Sequence, residues 1–522
     1  MEADVKKIVI FDSTLRDGAQ APGISFSVGD KIKIAEALDR LGVDYIEAGN
    51  PGSNPKDLEF FEYFKGKSLQ HAKLIAFGST RRKGILPEED NNLKALLSAG
   101  TDSVCIFGKS WDFHVTNILN ATLEENLAMI TDTIRFLRDN GKEVIFDAEH
   151  FFDGYKNNAS YAMAALDAAV AGGASCLVLC DTNGGCFPSE IEAIVKTVAA
   201  KHPSVGIHTH NDGEMAVANS IVAVEAGANH VQGTFTGFGE RCGNANLSAI
   251  IPSLQIKAGY ACIPAENMPL LTETARYISE TANLSLSSRA AFVGRNAFAH
   301  KAGMHIDGVT KASTSFEHVD PEAVGNQRQY LISEVAGGSA FLAKMQKIDP
   351  AIAKGSPEMA AIIQGIKERE HMGYQYEGAE ASLSLFIRKK LGKFKPSFKL
   401  VNFRVIGERP YDAGRSASAR ICIEVNGQRV FAYDEGIGPV GALDKALRKA
   451  LYEFFPVLKD VYLTDYKVRV LDNKHATESM IRVLLESTDG KDTWTTVGAS
   501  GDILDASYQA LVDSIEYKLK MS

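Results

Sequence analysis

Two histidines, His208 and His210, stand at positions i and i+2 of a short apolar run. On a strand that spacing projects both imidazoles to one face, where they can share a metal ion. Such an ion also needs oxygen donors and open positions for a substrate. Asp17 is the natural carboxylate, with Asn244 a further oxygen. Arg16 precedes Asp17: it is either an ordinary ion-paired side chain or, beside a metal, a fixed charge for an enolate or alkoxide oxygen. Glu149 serves as substrate ligand or base, or forms a plain salt bridge. Thr182 offers its hydroxyl to a substrate carboxylate, or caps a helix. Glu47 orients the metal-site residues or pairs with a cation. Gly18 and Gly184-Gly185 permit tight turns near these groups.

These residues need a scaffold that brings them to one place. Between Ile8 and Gly239, eight apolar runs alternate with amphipathic stretches: Ile8 to Leu15, Tyr45 to Gly49, Lys73 to Gly78, Ser103 to Gly108, Glu143 to Glu149, Cys176 to Cys180, Val205 to His210 and His230 to Phe235. Ile32, Ala35, Leu38 and Leu41 recur at helical spacing, as do Val217, Ile221 and Val224. Gly42, Gly141 and Gly227 stand where helices end in a left-handed residue. Eight such units in about 250 residues predict a (β/α)8 TIM barrel, with the polar clusters at the C-terminal ends of its strands. A doubly wound sheet is the alternative, and it would not converge so many clusters on one face.

Residues 1–260 are therefore assigned to the catalytic barrel. Residues 261–390 form a helical subdomain contributing to the active site, and residues 391–522 a duplicated α+β unit for regulation or dimerisation. The duplication is visible directly. Arg420 to Val425, a turn at Asn426-Gly427, Val430 to Tyr433 and a helix after Gly436-Ile-Gly438 are echoed by Ile481 to Glu486, a turn at Asp489-Gly490, Trp494 to Val497 and a helix after Gly498-Ala-Ser500.

Composition narrows the class. With 45% hydrophobic and 23% charged residues the chain reads as a folded globular protein, and no apolar run is long enough to span a bilayer. The start, Met1 to Lys7, lacks a signal-peptide pattern, which places the expected location in the cytoplasm. A net charge of −9 disfavours nucleic acid as a partner. Seven scattered cysteines suit reduced thiols. Cys176, Cys180 and Cys186 lie close in sequence, but they lack a paired C-x-x-C spacing and are not read as a zinc site.

Three segments in order, Phe11-Asp-Ser-Thr-Leu-Arg-Asp-Gly-Ala-Gln20, His208-Thr-His-Asn-Asp212 and Gly237-Phe-Gly-Glu-Arg-Cys-Gly-Asn-Ala-Asn246, resemble the signatures of the homocitrate, 2-isopropylmalate and citramalate synthases. The resemblance extends through His300-Lys-Ala-Gly-Met-His305 to the duplicated unit, which is similar to the family's regulatory domain. Within the family the chain looks most like the citramalate synthases, through Pro51-Gly-Ser-Asn-Pro-Lys-Asp57, Phe77-Gly-Ser-Thr-Arg-Arg82, Phe107-Gly-Lys-Ser-Trp-Asp-Phe-His114 and Phe146-Asp-Ala-Glu-His-Phe-Phe-Asp-Gly154.

The resemblance implies a divalent metal (Mn, Mg, Zn or Co) on Asp17, His208, His210 and Asn244, with acetyl-CoA as co-substrate and pyruvate as acceptor. It implies that Arg16, Gln20, Glu47 and Thr182 bind substrate. Arg16 would polarise the keto oxygen, and Glu149 and His305 would activate acetyl-CoA, His305 from the same subunit or its partner. A homodimer and an isoleucine effector also follow. Two positions depart from the pattern: Phe316 stands where relatives carry a tyrosine, and Asn50 where citramalate relatives carry a tryptophan. The alternatives are a 2-isopropylmalate or homocitrate synthase, a carbon–carbon lyase of the HMG-CoA lyase kind, a biotin-dependent carboxyltransferase, which would want a lysine at Glu149, and a non-catalytic binding barrel.

Overall fold

In the computed structural model the described residues are 5–300, 303–330, 342, 345–376, 378–412, 415–471, 479–490 and 492–521. Lys301 and Ala302, within the His300 to His305 segment, lie outside them. The chain divides into two compact units, Met1–Phe298 with Glu317–Arg328, and Ala299–Phe316 with Gln329–Ser522.

In the first unit eight parallel strands close into a barrel in sequence order. They are β1 (Val9–Asp12), β2 (Tyr45–Gly49), β3 (Lys73–Ser79), β4 (Ser103–Lys109), β5 (Glu143–Glu149), β6 (Cys176–Asp181), β7 (Val205–Thr209) and β8 (His230–Gly233). Closure is made by β1 against β8, with Val9 opposite His230 and Asp12 opposite Gly233. The expected TIM barrel is therefore present, with small differences at strand ends. β1 stops at Asp12 because Asp12 accepts hydrogen bonds from the Thr14 backbone N–H and hydroxyl, which turns the chain. β7 stops at Thr209, and His210 pairs in an isolated bridge with Asn244.

Local signals account for the connecting helices. Ser27 caps the helix Val28–Leu41 in a capping box with Asp30, and Gly42 ends it at φ 91°. Gly141 and Gly227 also have positive φ, as their positions after helices require. The larger apolar core lies between sheet and helices. A separate small cluster, Phe11, Ile75, Cys105, Ile145, Cys176, Val178 and Cys180, fills the barrel interior. Cys105, Cys176 and Cys180 are thus small packing residues, and burial pushes the Cys176 thiol up to about 12.

The second unit carries two three-stranded antiparallel sheets: β9 (Lys399–Asp412), β10 (Arg415–Val425) and β11 (Gln428–Gly436), then β12 (Tyr462–Val470), β13 (Ile481–Thr488) and β14 (Thr493–Ser500). Each sheet is followed by a helix, Pro439–Leu451 and Ile503–Met521, and both pairs share one apolar core. The hairpin turn is where the sequence puts it, with Asn426 at φ 52° and Gly427 at φ 82°. One strand per copy goes beyond the sequence reading, which began the copies at Arg420 and Ile481. The missed strands are at sheet edges: β12 is largely exposed and carries Thr464, Asp465, Lys467 and Arg469, which blunts the apolar alternation.

Candidate active site at the barrel mouth

Asp17, His208 and His210 come together, all buried, with their ligand atoms within 4.8 Å of one another. His208 Nε2 stands 3.4 Å from Asp17 Oδ2 and 3.4 Å from His210 Nε2. Donors bound to one ion at about 2.0–2.2 Å lie roughly 3.0–3.5 Å apart, so the spacing suits a shared cation. A second sign is the state of a neighbouring polar atom: Asn244 Oδ1 is buried without a hydrogen-bond partner. Orphaned buried acceptors are costly unless something else satisfies them. Gly239 makes room for Asn244, since at φ 156° a Cβ there would sit 2.2 Å from Asn244 Nδ2. Asn244 Nδ2 in turn donates to the Phe238 carbonyl, which leaves Oδ1 as its free group.

Electrostatics favour an anionic Asp17. Burial alone would raise its pKa, but the Arg16 charge, the hydrogen bond from His208 and the charge of both imidazoles outweigh that and hold it well below the carboxylate range. Burial also works against a charged His208, yet the hydrogen bond and charge of Asp17, with Asp147 behind, raise its pKa. His210 goes the other way, down to about 4, through burial and then the charge of His208.

Arg16 is held from three sides. Its Nε donates to Glu47 Oε2 at 2.7 Å, its Nη1 is 3.3 Å from Asp17, and its guanidinium lies 3.8 Å from the centre of the Phe77 ring. Glu47, fully buried, also accepts from the Ser13 hydroxyl and keeps Oε1 without a partner. Glu47, Cys105 and Asp147 form a second buried trio, and the Arg16 guanidinium supplies its positive charge. Gln20, the exposed one of the expected substrate residues, lines a cavity of about 310 Å³ together with Arg16, Asn50, Lys56 and Phe77.

Glu149 and Thr182 belong to a cluster at the ends of β4, β5 and β6. Glu149 is ion-paired with Lys109. Thr182 Oγ1 accepts from the His150 N–H at 2.9 Å. That bond is a capping contact, since His150 heads the helix Phe151–Gly172, and it leaves the hydroxyl proton of Thr182 available to donate. His150 has φ 56°, and Glu214, Thr236 and Arg241 in the loops after β7 and β8 also have positive φ. Strained non-glycine residues gather where loop geometry is dictated by function. His305 lies in the second unit, where its ring stacks on Phe316 at 4.2 Å between centroids.

Sequence reading missed several members. Arg241 grips Asp212 with two hydrogen bonds of 2.8 and 2.9 Å and donates to the Thr182 carbonyl, tying together the loops after β6, β7 and β8. Gln232 and Asp147 stand behind His208, joined by hydrogen bonds. Lys109 pairs with Glu149. The available signal was a polar residue at an inward position of an otherwise apolar run, as in His230-Val-Gln232 and Phe146-Asp-Ala-Glu149.

A closed barrel whose C-terminal mouth gathers one carboxylate and two imidazoles is the architecture of a metal-site enzyme, and residues 7–277 match the HMGL-like family. Residues 292–373 match the homocitrate synthase post-HMGL domain-like family, and residues 377–519 the LeuA allosteric (dimerisation) domain. The (R)-citramalate synthase of Geobacter sulfurreducens is 50% identical over 518 residues, 99% of this chain and 98% of that protein. Those of Synechocystis and Aquifex aeolicus are each 50% identical over 98% of this chain, covering 96% and 98% of their own lengths. The chain belongs to the citramalate synthase family of HMGL-like enzymes, which condense acetyl-CoA with a 2-oxo acid. No helix among the described residues is long and apolar enough to cross a membrane.

Proposed function

We propose that this chain condenses acetyl-CoA with pyruvate and hydrolyses the resulting thioester, releasing (R)-citramalate and CoA and feeding isoleucine synthesis. The observation that carries the reading is the match to (R)-citramalate synthases over nearly the whole chain, in a barrel that gathers Asp17, His208 and His210. A divalent cation held by these three and Asn244 would act as a Lewis acid toward the carboxylate and ketone oxygens of the 2-oxo acid. Two imidazoles with oxygen donors suit Mn, Mg, Zn or Co.

The protein's own groups do the rest. Arg16, fixed by Glu47 and Phe77, stabilises the negative charge that builds on the keto oxygen. Thr182 donates its free hydroxyl proton to the substrate carboxylate. Gln20 and Glu47 complete the substrate contacts. Glu149 and His305 serve the removal of a methyl proton from acetyl-CoA, which leaves the carbon nucleophile that attacks the ketone. Lys109, paired with Glu149, holds its carboxylate in place at the ends of β4 and β5. Water then cleaves the thioester, and loss of CoA makes the sequence irreversible.

The same reading places the enzyme in the cytoplasm as a homodimer, with isoleucine acting on the C-terminal unit. The test is thiol release from acetyl-CoA with pyruvate, 2-oxoisovalerate, 2-oxoglutarate or oxaloacetate, with and without divalent metal. Metal-dependent release with pyruvate is expected, and a preference for 2-oxoisovalerate would replace the acceptor. Deleting the residues after Ser397 should abolish inhibition by isoleucine, and inhibition that persists would refute the regulatory part.

A further inference from the structure

Behind His208 the barrel interior holds a relay of hydrogen bonds between buried side chains. Gln232 lies directly opposite His208 across the β7–β8 pairing. Its Oε1 is 2.8 Å from His208 Nδ1, and its Nε2 donates to Asp147 Oδ1 on β5 at 2.9 Å. Gln232 is fully buried and Asp147 nearly so.

An amide has one accepting end and one donating end, so its orientation decides what it can offer to each neighbour. The carboxylate oxygen of Asp147 accepts, which turns the NH2 end of Gln232 toward β5 and the oxygen toward His208. That oxygen can only accept, so the proton of a neutral His208 must sit on Nδ1. In that neutral form the lone pair is on Nε2, the atom that in the doubly protonated form donates to Asp17 Oδ2 and that lies 3.4 Å from it and from His210 Nε2. The reverse amide orientation would put the proton on Nε2 and block the shared position.

We propose that Gln232 is a positioning residue that fixes the metal-binding tautomer and ring orientation of His208, with Asp147 setting the direction of its amide. The assignment rests on the metal site proposed above. Partners of this kind typically change metal affinity about 10–100-fold when removed.

The experiment is titration of the metal-stripped full-length protein with Mn2+, following free Mn2+ by electron paramagnetic resonance, together with the visible spectrum of the Co2+ form. Gln232→Met should raise the Kd for Mn2+ about 10–100-fold and alter the Co2+ spectrum, while the metal-stripped protein melts near the wild-type temperature. Asp147→Ala, which frees the amide to turn, should shift the Kd in the same direction by less. Asp147→Asn keeps an accepting oxygen and should restore the Kd to within a few-fold of wild type. Wild-type Kd and Co2+ spectrum in both Gln232→Met and Asp147→Ala would overturn the assignment. His208→Ala separates the two levels: if it binds Mn2+ as the wild type does, the underlying metal site is wrong and the relay falls with it.

Discussion

Two buried imidazoles on adjacent strands of the barrel meet opposite fates. His208 on β7 has Asp17 and Gln232 as partners, and its pKa is raised despite burial. His230 on β8, opposite Gly206 and so one layer lower, has Phe11 at 5.4 Å and Tyr45 at 6.1 Å between ring centroids. Its Nε2 has no hydrogen-bond partner, and burial pushes its pKa down to about 3. Burial is common to both, and contact with a carboxylate makes the difference: Asp17 is hydrogen-bonded to His208, whereas the Glu143 charge reaches His230 without a hydrogen bond and does not offset burial. The layer at the strand C-termini holds Asp17, Glu47 and Asp147 with one guanidinium among them, whereas the layer below is aromatic and apolar. The proposed function accordingly assigns the chemistry to one layer of a continuous stack and a supporting role to the other.

The comparison can be broken most severely at the upper layer. Asp17→Asn removes the anion that both imidazoles face, and it should lower kcat by on the order of 10³-fold or more, read by thiol release with saturating metal. A loss under tenfold would mean that the layer is not the reaction centre. Arg16→Lys keeps the charge but not the rigid fork that reaches Glu47 and Asp17 together. It should cost about 10²–10³ in kcat with a smaller change in KM for the 2-oxo acid.

Two substitutions sharpen the contrast through pH. Burial, with the Glu47 charge adding to it, pushes Asp12 up to about 7 in spite of the hydrogen bonds from Thr14. A carboxyl whose folded pKa is raised contributes stability below its ordinary value of about 3.9, and the contribution is lost as pH rises through the folded pKa. Asp12→Asn should therefore gain stability relative to wild type as pH rises from about 4 to about 7, seen as a melting-temperature difference that widens over that range and then levels off; a constant difference would contradict the shift.

For His230 the sign is reversed. Its depressed pKa means that stability is complete above about 6.5 and declines as pH falls toward the folded value. His230→Leu should melt less steeply with acid than wild type while leaving kcat at pH 8 within about twofold, the smallest effect on activity in the series. A large loss of activity would place the lower layer in the chemistry after all.

How much of this was readable follows the same division. The apolar runs from Tyr45 to Gly49 and from Glu143 to Glu149 coincide with β2 and β5, because strands buried on both faces leave a continuous hydrophobic signature. His208 and His210 could be placed together because two residues of strand spacing fix a shared face. Gln232, Asp147 and Lys109 were harder, since their partners come from other strands and only the closed register brings them into contact. Edge strands such as β12 carry too little apolar alternation to be seen before their pairing is known.

The most direct test is a crystal grown from metal-stripped protein and soaked in Mn2+, with anomalous data collected near the manganese edge. The account expects one strong peak about 2.0–2.3 Å from a carboxylate oxygen of Asp17, His208 Nε2 and a ring nitrogen of His210. A map with no peak among these three side chains, or with its main peak elsewhere in the barrel, would contradict it.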